Sequence, residues 1–550
     1  MPQPLRRFRP LSRRLGRFGS MVLSLLLPAA GVLAGAALMA SGEPPAAAAD
    51  LLELRLEALA VPIPLDQLET LSRGEPLPSG RGGEELRVWF SLLRPENQRD
   101  LLRLLRAPLL RDRSFGRQLL DSWAGSQMLA EVGGLLTTAD GSSTTTLLQS
   151  TLVRLLEQGR EVTAIDLLRN LPPERLTLQL DGLLALAERW RQQLRQQQLA
   201  LVGLQRLPLQ VRRTRPLAFE PEPSSPPRRL ALAVPHRSEP LPLELWPASS
   251  SPYDPTGRRP WLLLLPGLGG TAEQLGWLAA ALADRGWSVV ALQHPGSDAA
   301  AMRAALEGQR PPPGAETLAT RLADVRAVLE AQRQGQLGIE GDGVVLVGHS
   351  LGGLTALLAS GLAPLPGLEN RCRQALSRLP INNPSRLLQC QLASTGGPAP
   401  LAPPPDLRAL VVLNGFGSLL WPGGGLSRLS VPVLMAGGSL DLVTPPVEEQ
   451  LGLFLPPGDG RSRLVLVEGG SHFSPVRVVD REAALFQLGS ELVGVEPRTV
   501  QRLLLRVTSE FLQSLEQPQL LPSQRLEQEG VSAYVLDASA ARRWWAQVRP

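Results

Sequence analysis

The sequence predicts an α/β protein: a mostly parallel sheet flanked by helices, preceded by a smaller, mainly helical domain. Three observations carry that expectation. From about Leu230 onward, short apolar runs alternate with helix-like stretches. Between Glu84 and Gln197 leucines recur at helical spacing. A Pro-rich stretch, residues 205–229, separates the two parts. The chain of 550 residues is long enough for two or three domains of ordinary size.

The first 49 residues read as an export leader. Arg6, Arg7, Arg9, Arg13, Arg14 and Arg17 precede an uncharged apolar run, Met21–Ala40, and Ala47-x-Ala49 forms a small-residue cleavage site before Asp50. The alternative is an uncleaved membrane anchor formed by residues 21–40. The whole formal charge of +5 belongs to this leader, where six arginines face only Glu43; the remaining 50 arginines and 50 acids balance. With that charge assigned and aromatics at 4%, nucleic acid is not an expected partner. Two cysteines, Cys372 and Cys390, in an exported chain read as one disulfide. The four histidines are scattered at positions 236, 294, 349 and 472, so no metal site is expected.

Behind the leader, Leu52-Glu53-Leu54-Arg55-Leu56-Glu57 alternates with period two and predicts a strand, followed after Pro62 and Pro64 by a short helix over 65–71. Leu148, Leu152, Leu155 and Leu156 mark one helix face, with the Ser/Thr stretch 142–146 in front as a cap. Leu183, Leu184, Leu186, Ala187 and Trp190 open another helix. These stripes are read as core packing. In the second domain, the runs at 261–265, 287–292, 344–347, 410–413, 431–435 and 464–467 predict parallel strands, with helices over 272–284, 317–332, 353–362 and 447–454. The domain is expected to span 230–516, with an insertion at 363–405 and a tail, 517–550, of no assigned role.

One segment concentrates the chemistry. Val344–Val347 leads into Gly348-His349-Ser350-Leu351-Gly352, the chain's one G-x-S-x-G, and a small-residue helix follows. This strand–turn–helix context is that of a nucleophile elbow, in which glycines let strand and helix approach closely while the serine hydroxyl stands above the sheet. A serine nucleophile needs a base oriented by an acid, in the order Ser, Asp/Glu, His. His472 is the one histidine beyond Ser350. Asp441 follows a predicted strand and is preferred as the acid over Glu468. The oxyanion donors are expected to be the N–H groups of Leu351 and of Leu268, in Pro266-Gly267-Leu268-Gly269-Gly270. His349 is expected to pack under the turn; His294 is a candidate to line the pocket or, equally, to brace its loop.

Those stretches carry a resemblance. Together with His294-Pro295-Gly296-Ser297-Asp298, Asn383-Pro384-Ser385-Arg386-Leu387-Leu388-Gln389-Cys390 and Gly469-Gly470-Ser471-His472-Phe473-Ser474, the chain over roughly residues 50–515 resembles cyanobacterial α/β-hydrolases of uncharacterised function that carry a helical N-terminal domain. It is similar also to dienelactone hydrolases and platelet-activating-factor acetylhydrolases. It departs from the latter at Asn414-Gly415, where they hold the catalytic acid. The motifs and the resemblance together imply an α/β-hydrolase fold and a serine hydrolase without cofactor, acting on a small-molecule or lipid ester; the leader implies the periplasm, the exterior or a thylakoid lumen, with a membrane surface as a candidate neighbour. The insertion and the N-terminal helices are candidates to roof the pocket. A thioesterase or peptidase would use the same residues, and a non-catalytic partner-binding protein could be built on the same scaffold.

Overall fold

A computed structural model describes residues 49–548, apart from 78–85, 89, 92–94, 107, 111–112, 121, 159–161, 216, 218–225, 250–258, 378–379, 381, 398–400, 456–459, 478–493 and 518. Residues 1–48 of the expected leader, with the run Met21–Ala40, lie outside the described residues. Among the described residues, no helix is long and apolar enough to cross a membrane. The chain forms two compact units: one runs through Gln192 and includes Ala304–Pro312, the other comprises Gln193–Arg303 and Pro313–Pro550.

In the first unit the alternating segment forms β1 (Leu51–Leu56), paired antiparallel with β2 (Leu59–Pro64). Helices α1 (Leu65–Arg73), α2 (Pro95–Arg106), α3 (Arg113–Leu120), α4 (Trp123–Leu135), α5 (Thr145–Glu157) and α6 (Ala164–Asn170) follow. Strands β3 (Pro108–Leu110) and β5 (Val162–Thr163) form a small pair, while β4 (Leu136–Thr138) and β6 (Arg175–Gln179) extend the first sheet in the order β2-β1-β6-β4. Among the described residues, these two small sheets accompany the helices. Strands of three to five residues are too short to show a period in sequence. The leucine face of α5, Leu148, Leu152, Leu155 and Leu156, is buried as its spacing requires. Thr144 stands at its N-cap, but its hydroxyl donates to the Leu136 carbonyl rather than capping the helix.

The second unit is built on an eleven-stranded sheet, whose strands lie on both sides of the expected 230–516. Helix α7 (Leu180–Gln205) enters it, and Ala200 and Leu204 join its core. Strand β7 (Gln210–Arg213) lies inside the stretch expected to be a linker. Then come β8 (Arg228–Leu232), β9 (Leu241–Trp246), β10 (Trp261–Leu265), α8 (Gly276–Ala283), β11 (Val289–Leu292), α9 (Ala299–Leu306), α10 (Leu318–Arg333), β12 (Val344–His349) and α11 (Leu351–Ala359). The insertion carries α12 (Leu368–Ala375) and α13 (Ser385–Ser394), joined by the Cys372–Cys390 disulfide. Strands β13 (Leu407–Leu413), β14 (Val433–Gly438) and β15 (Arg463–Val467) follow, then α14 (Pro497–Glu516). The expected tail is part of the sheet: β16 (Gln524–Gln528) and β17 (Val531–Leu536) form a hairpin beside β15, and α15 (Ala538–Val548) packs its buried Trp544 into the core. The turn of that hairpin uses Glu529 and Gly530, both at positive φ. Asn-Gly or Asp-Gly would have announced it in sequence; Glu-Gly does not.

The order is β7-β16-β17-β15-β14-β13-β12-β10-β11-β9-β8, and its six central strands, β15 to β11, are parallel. Side chains alternate between two cores: Val344 and Leu346 of β12 enter one, Val345 and Val347 the other. Both faces of the sheet are thus covered, which is why the central strands are apolar throughout. The chain reverses its direction of travel across the sheet between β10 and β12, and at such a switch point the loops leaving the strand C-termini open a crevice.

Candidate active site

Ser350 lies at that switch point, between β12 and α11. Its backbone is at φ 51° and ψ −119°, a conformation that costs a non-glycine residue roughly 1–3 kcal/mol. Sterics explain the flanking glycines. A Cβ at Gly348 would meet the Gly352 carbonyl oxygen at 2.2 Å, and one at Gly352 would meet the Leu265 oxygen at 2.0 Å. The Ser350 N–H donates to Leu413 O at 2.9 Å, which fixes the elbow to the next strand. Helix α11 starts at Leu351, so the first amides of the helix, free of intrahelical acceptors, face the side on which the serine stands.

His472 follows β15 and Asp441 follows β14. The structure brings both to Ser350: His472 Nε2 is 3.0 Å from Ser350 Oγ, and His472 Nδ1 is 2.9 Å from Asp441 Oδ2. With the proton on Nδ1 donated to the carboxylate, Nε2 is the acceptor for the serine hydroxyl. Asp441 is fully buried and also receives the N–H groups of Val443 and Thr444, the Thr444 hydroxyl at 2.6 Å and the Asn414 amide at 2.6 Å. Burial alone would raise its carboxyl; the facing His472 and the bonds from Asn414 and Thr444 outweigh it and leave the group below its ordinary value. Glu468, the rival acid, points elsewhere, accepting from Gln205 and from the Tyr534 hydroxyl at 3.3 Å each.

The loop after β10 passes close to the elbow. A Cβ at Gly267 would come within 3.2 Å of Ser350 Cβ, and Gly269 takes φ 71° while its N–H donates to Ser297 O at 2.8 Å. Leu268 therefore sits in the segment beside the nucleophile, and Leu351 is the first residue after it. His349, expected under the turn, donates from Nε2 to the His472 carbonyl at 2.9 Å and packs its ring 5.1 Å from that of His472. Burial holds its pKa down to about 3, so it acts as a neutral strut. His294 is 1% exposed, its Nδ1 bonds Asp324 at 2.7 Å, and burial holds it down to about 3, an arrangement that braces its loop. The insertion reaches the acid turn: Ser385 N–H donates to Val443 O at 3.2 Å. Among the described residues, no group of three or more His, Cys, Asp or Glu is arranged to hold a metal ion.

Sequence reasoning missed Asn414 and Thr444 as supports of the acid. The positive φ of Asn414, 49°, and its amide on Asp441 have no signature in a single sequence. Thr444 lies three residues after Asp441, the spacing of a side-chain-capped turn, which was there to be read.

A parallel sheet with helices on both faces, a strained serine between strand and helix, and the ordered Ser–His–Asp contacts define the α/β-hydrolase fold. Comparison with known families agrees: residues 262–486 match the alpha/beta hydrolase family, and residues 48–179 match a second family, described as alpha/beta hydrolase of unknown function (DUF1400). No curated protein matches the chain. Together the family matches support a hydrolase.

Proposed function

We propose that the protein is an exported serine hydrolase that cleaves carboxylic esters through an acyl-enzyme. The observation that carries this reading is the relay from Ser350 Oγ to His472 Nε2 at 3.0 Å and on to Asp441 at 2.9 Å. In the reading, Ser350 Oγ attacks the ester carbonyl as His472 Nε2 takes its proton. The resulting oxyanion is held by the N–H groups of Leu268 and Leu351. Collapse breaks the bond to the alkoxy oxygen, which leaves as an alcohol carrying the proton from His472. Water then repeats the sequence on the acyl-enzyme and releases the carboxylic acid. The substrate class, a small-molecule or lipid ester of the kind handled by dienelactone hydrolases and acetylhydrolases, belongs to the same proposal.

The test is labelling with a fluorophosphonate followed by turnover of a p-nitrophenyl ester series. The expected outcome is one label on Ser350 and turnover that Ser350→Ala lowers by roughly 10⁴-fold or more. An unlabelled, well-folded protein would refute the reading. The export part is tested separately: the protein recovered outside the cytoplasm should begin at or near Asp50, one residue before β1, and an intact Met1 or Pro2 would favour the anchor.

A further inference from the structure

The two oxyanion donors of the reading above come from separate segments, the loop after β10 and the start of α11. Their spacing must be right to within a few tenths of an ångström, since donors act on an oxyanion at about 2.7–3.1 Å. One buried side chain reaches toward both segments. Arg321, on α10, is 1% exposed. Its Nη2 donates to the Pro266 carbonyl, two residues before Leu268. Its Nε donates at 3.1 Å to the Thr355 hydroxyl, which in turn donates at 2.7 Å to the Leu351 carbonyl. Its Nη1 donates at 2.8 Å to the Ser297 hydroxyl, and the Ser297 carbonyl accepts the Gly269 N–H at 2.8 Å.

All three acceptors are neutral. Among the described residues Arg321 has no carboxylate at ion-pair distance. The nearby Asp324, one turn along the helix, is occupied by Arg237 through two bonds of 2.6 Å and by His236 and His294 at 2.7 Å. A buried guanidinium with only neutral partners is costly, so its fork has to be satisfied by fixed geometry. Here that geometry joins Pro266, Ser297 and Thr355, which are separated in sequence and meet at the switch point.

We infer that Arg321 is a positioning residue that sets the spacing of the Leu268 and Leu351 amides, through Pro266 and Ser297 on one side and Thr355 on the other. The inference rests on the ester-hydrolase reading. It makes a demand that a merely structural staple would not: weakening Arg321 or Thr355 should harm the transition state more than the bound substrate.

The experiment uses the full chain and three variants, Arg321→Lys, Thr355→Val and Thr355→Ser, each checked by circular dichroism. The readouts are kcat and KM on a p-nitrophenyl ester and the affinity of a trifluoromethyl ketone, whose adduct with a serine carries an oxyanion. Arg321→Lys is expected to lower kcat about 10–100-fold with KM within about threefold, and to weaken the ketone in parallel, as a misplacement near 1 Å would. Thr355→Val should show a smaller loss of the same pattern, and Thr355→Ser, which keeps the hydroxyl, should restore wild-type values. A folded Arg321→Lys protein with undiminished ketone affinity, or one changed in KM alone, overturns the inference. Should that variant not fold, wild-type ketone affinity in Thr355→Val overturns it instead. The fluorophosphonate separates the two claims: an unlabelled wild-type protein removes the hydrolase reading and this one with it, whereas a labelled wild type with unaltered variants removes this one alone.

Discussion

At the scale of single residues, the acid is the most instructive position. Asp441 is buried and ionised because four donors and the imidazole surround it; the donors come from its own turn and from Asn414, and the imidazole is that of His472. Three substitutions should therefore separate by size. Asp441→Asn should lower kcat by roughly 10⁴-fold, by favouring the wrong imidazole tautomer. Asn414→Ala removes one buried donor, worth about 1–3 kcal/mol, and should lower kcat by about 5–100-fold. Glu468→Gln should leave turnover near wild type, since Glu468 is engaged by Gln205 and Tyr534. Ester turnover of the three proteins decides the matter; a severe loss at Glu468 with a mild one at Asp441 would move the acid.

At the scale of elements, the insertion is anchored from several sides. The Glu449 carboxylate is fully buried and accepts from the Gly417 and Ser418 N–H groups, the Ser418 hydroxyl, Asn383 and, at 3.2 Å each, Ser385 and Gln389. It thus fastens the start of α13 to the loop after β13. The Cys372–Cys390 disulfide, 18 residues apart, closes α12 onto α13. Replacing both cysteines by serine should cost about 3 kcal/mol on the chain-entropy account, read as a lower midpoint in urea unfolding. Full stability without the bridge would contradict it. Most of the central strands, the elbow and the relay order were legible, because buried parallel strands are apolar runs and the elbow has its own glycine spacing. The β16–β17 hairpin was not, because its strands, QRLEQ and VSAYVL, carry little period-two contrast and its Glu-Gly turn gives no signal. The buried polar supports Glu449, Asn414 and Arg321 were equally silent, since a lone polar residue says nothing of its burial until its partners are folded around it.

At the scale of the whole molecule, two neutral histidines set an acid limit. His294 and His349 lie near pKa 3, held there first by burial, against an ordinary value of 6.5. Between those values the unfolded chain binds protons that the folded one refuses, so stability falls as pH drops from about 6.5 and levels off near 3, with these two groups supplying up to about two protons to the slope. Asp324, held near 2, adds a further loss once pH passes below about 3.8. Melting temperatures taken from pH 7 to pH 4 should trace this decline, and His349→Gln should flatten it; an unchanged slope in that variant would refute the assignment.

The sheet also pairs Gln210–Arg213 with Gln524–Glu527, and Trp544 donates its indole N–H to Ala200 O at 2.8 Å. The second unit thus clasps its opening segment with its closing one, like a belt whose buckle is made last. While a nascent chain is still short of residue 524, β15, which precedes His472, offers a bare edge ready to pair with any stray strand. Fastening the clasp closes a loop of some three hundred residues, a contact pattern that favours slow, all-at-once maturation over gradual gain of structure. A ribosome that stops early would then release a sticky fragment, not a weaker enzyme.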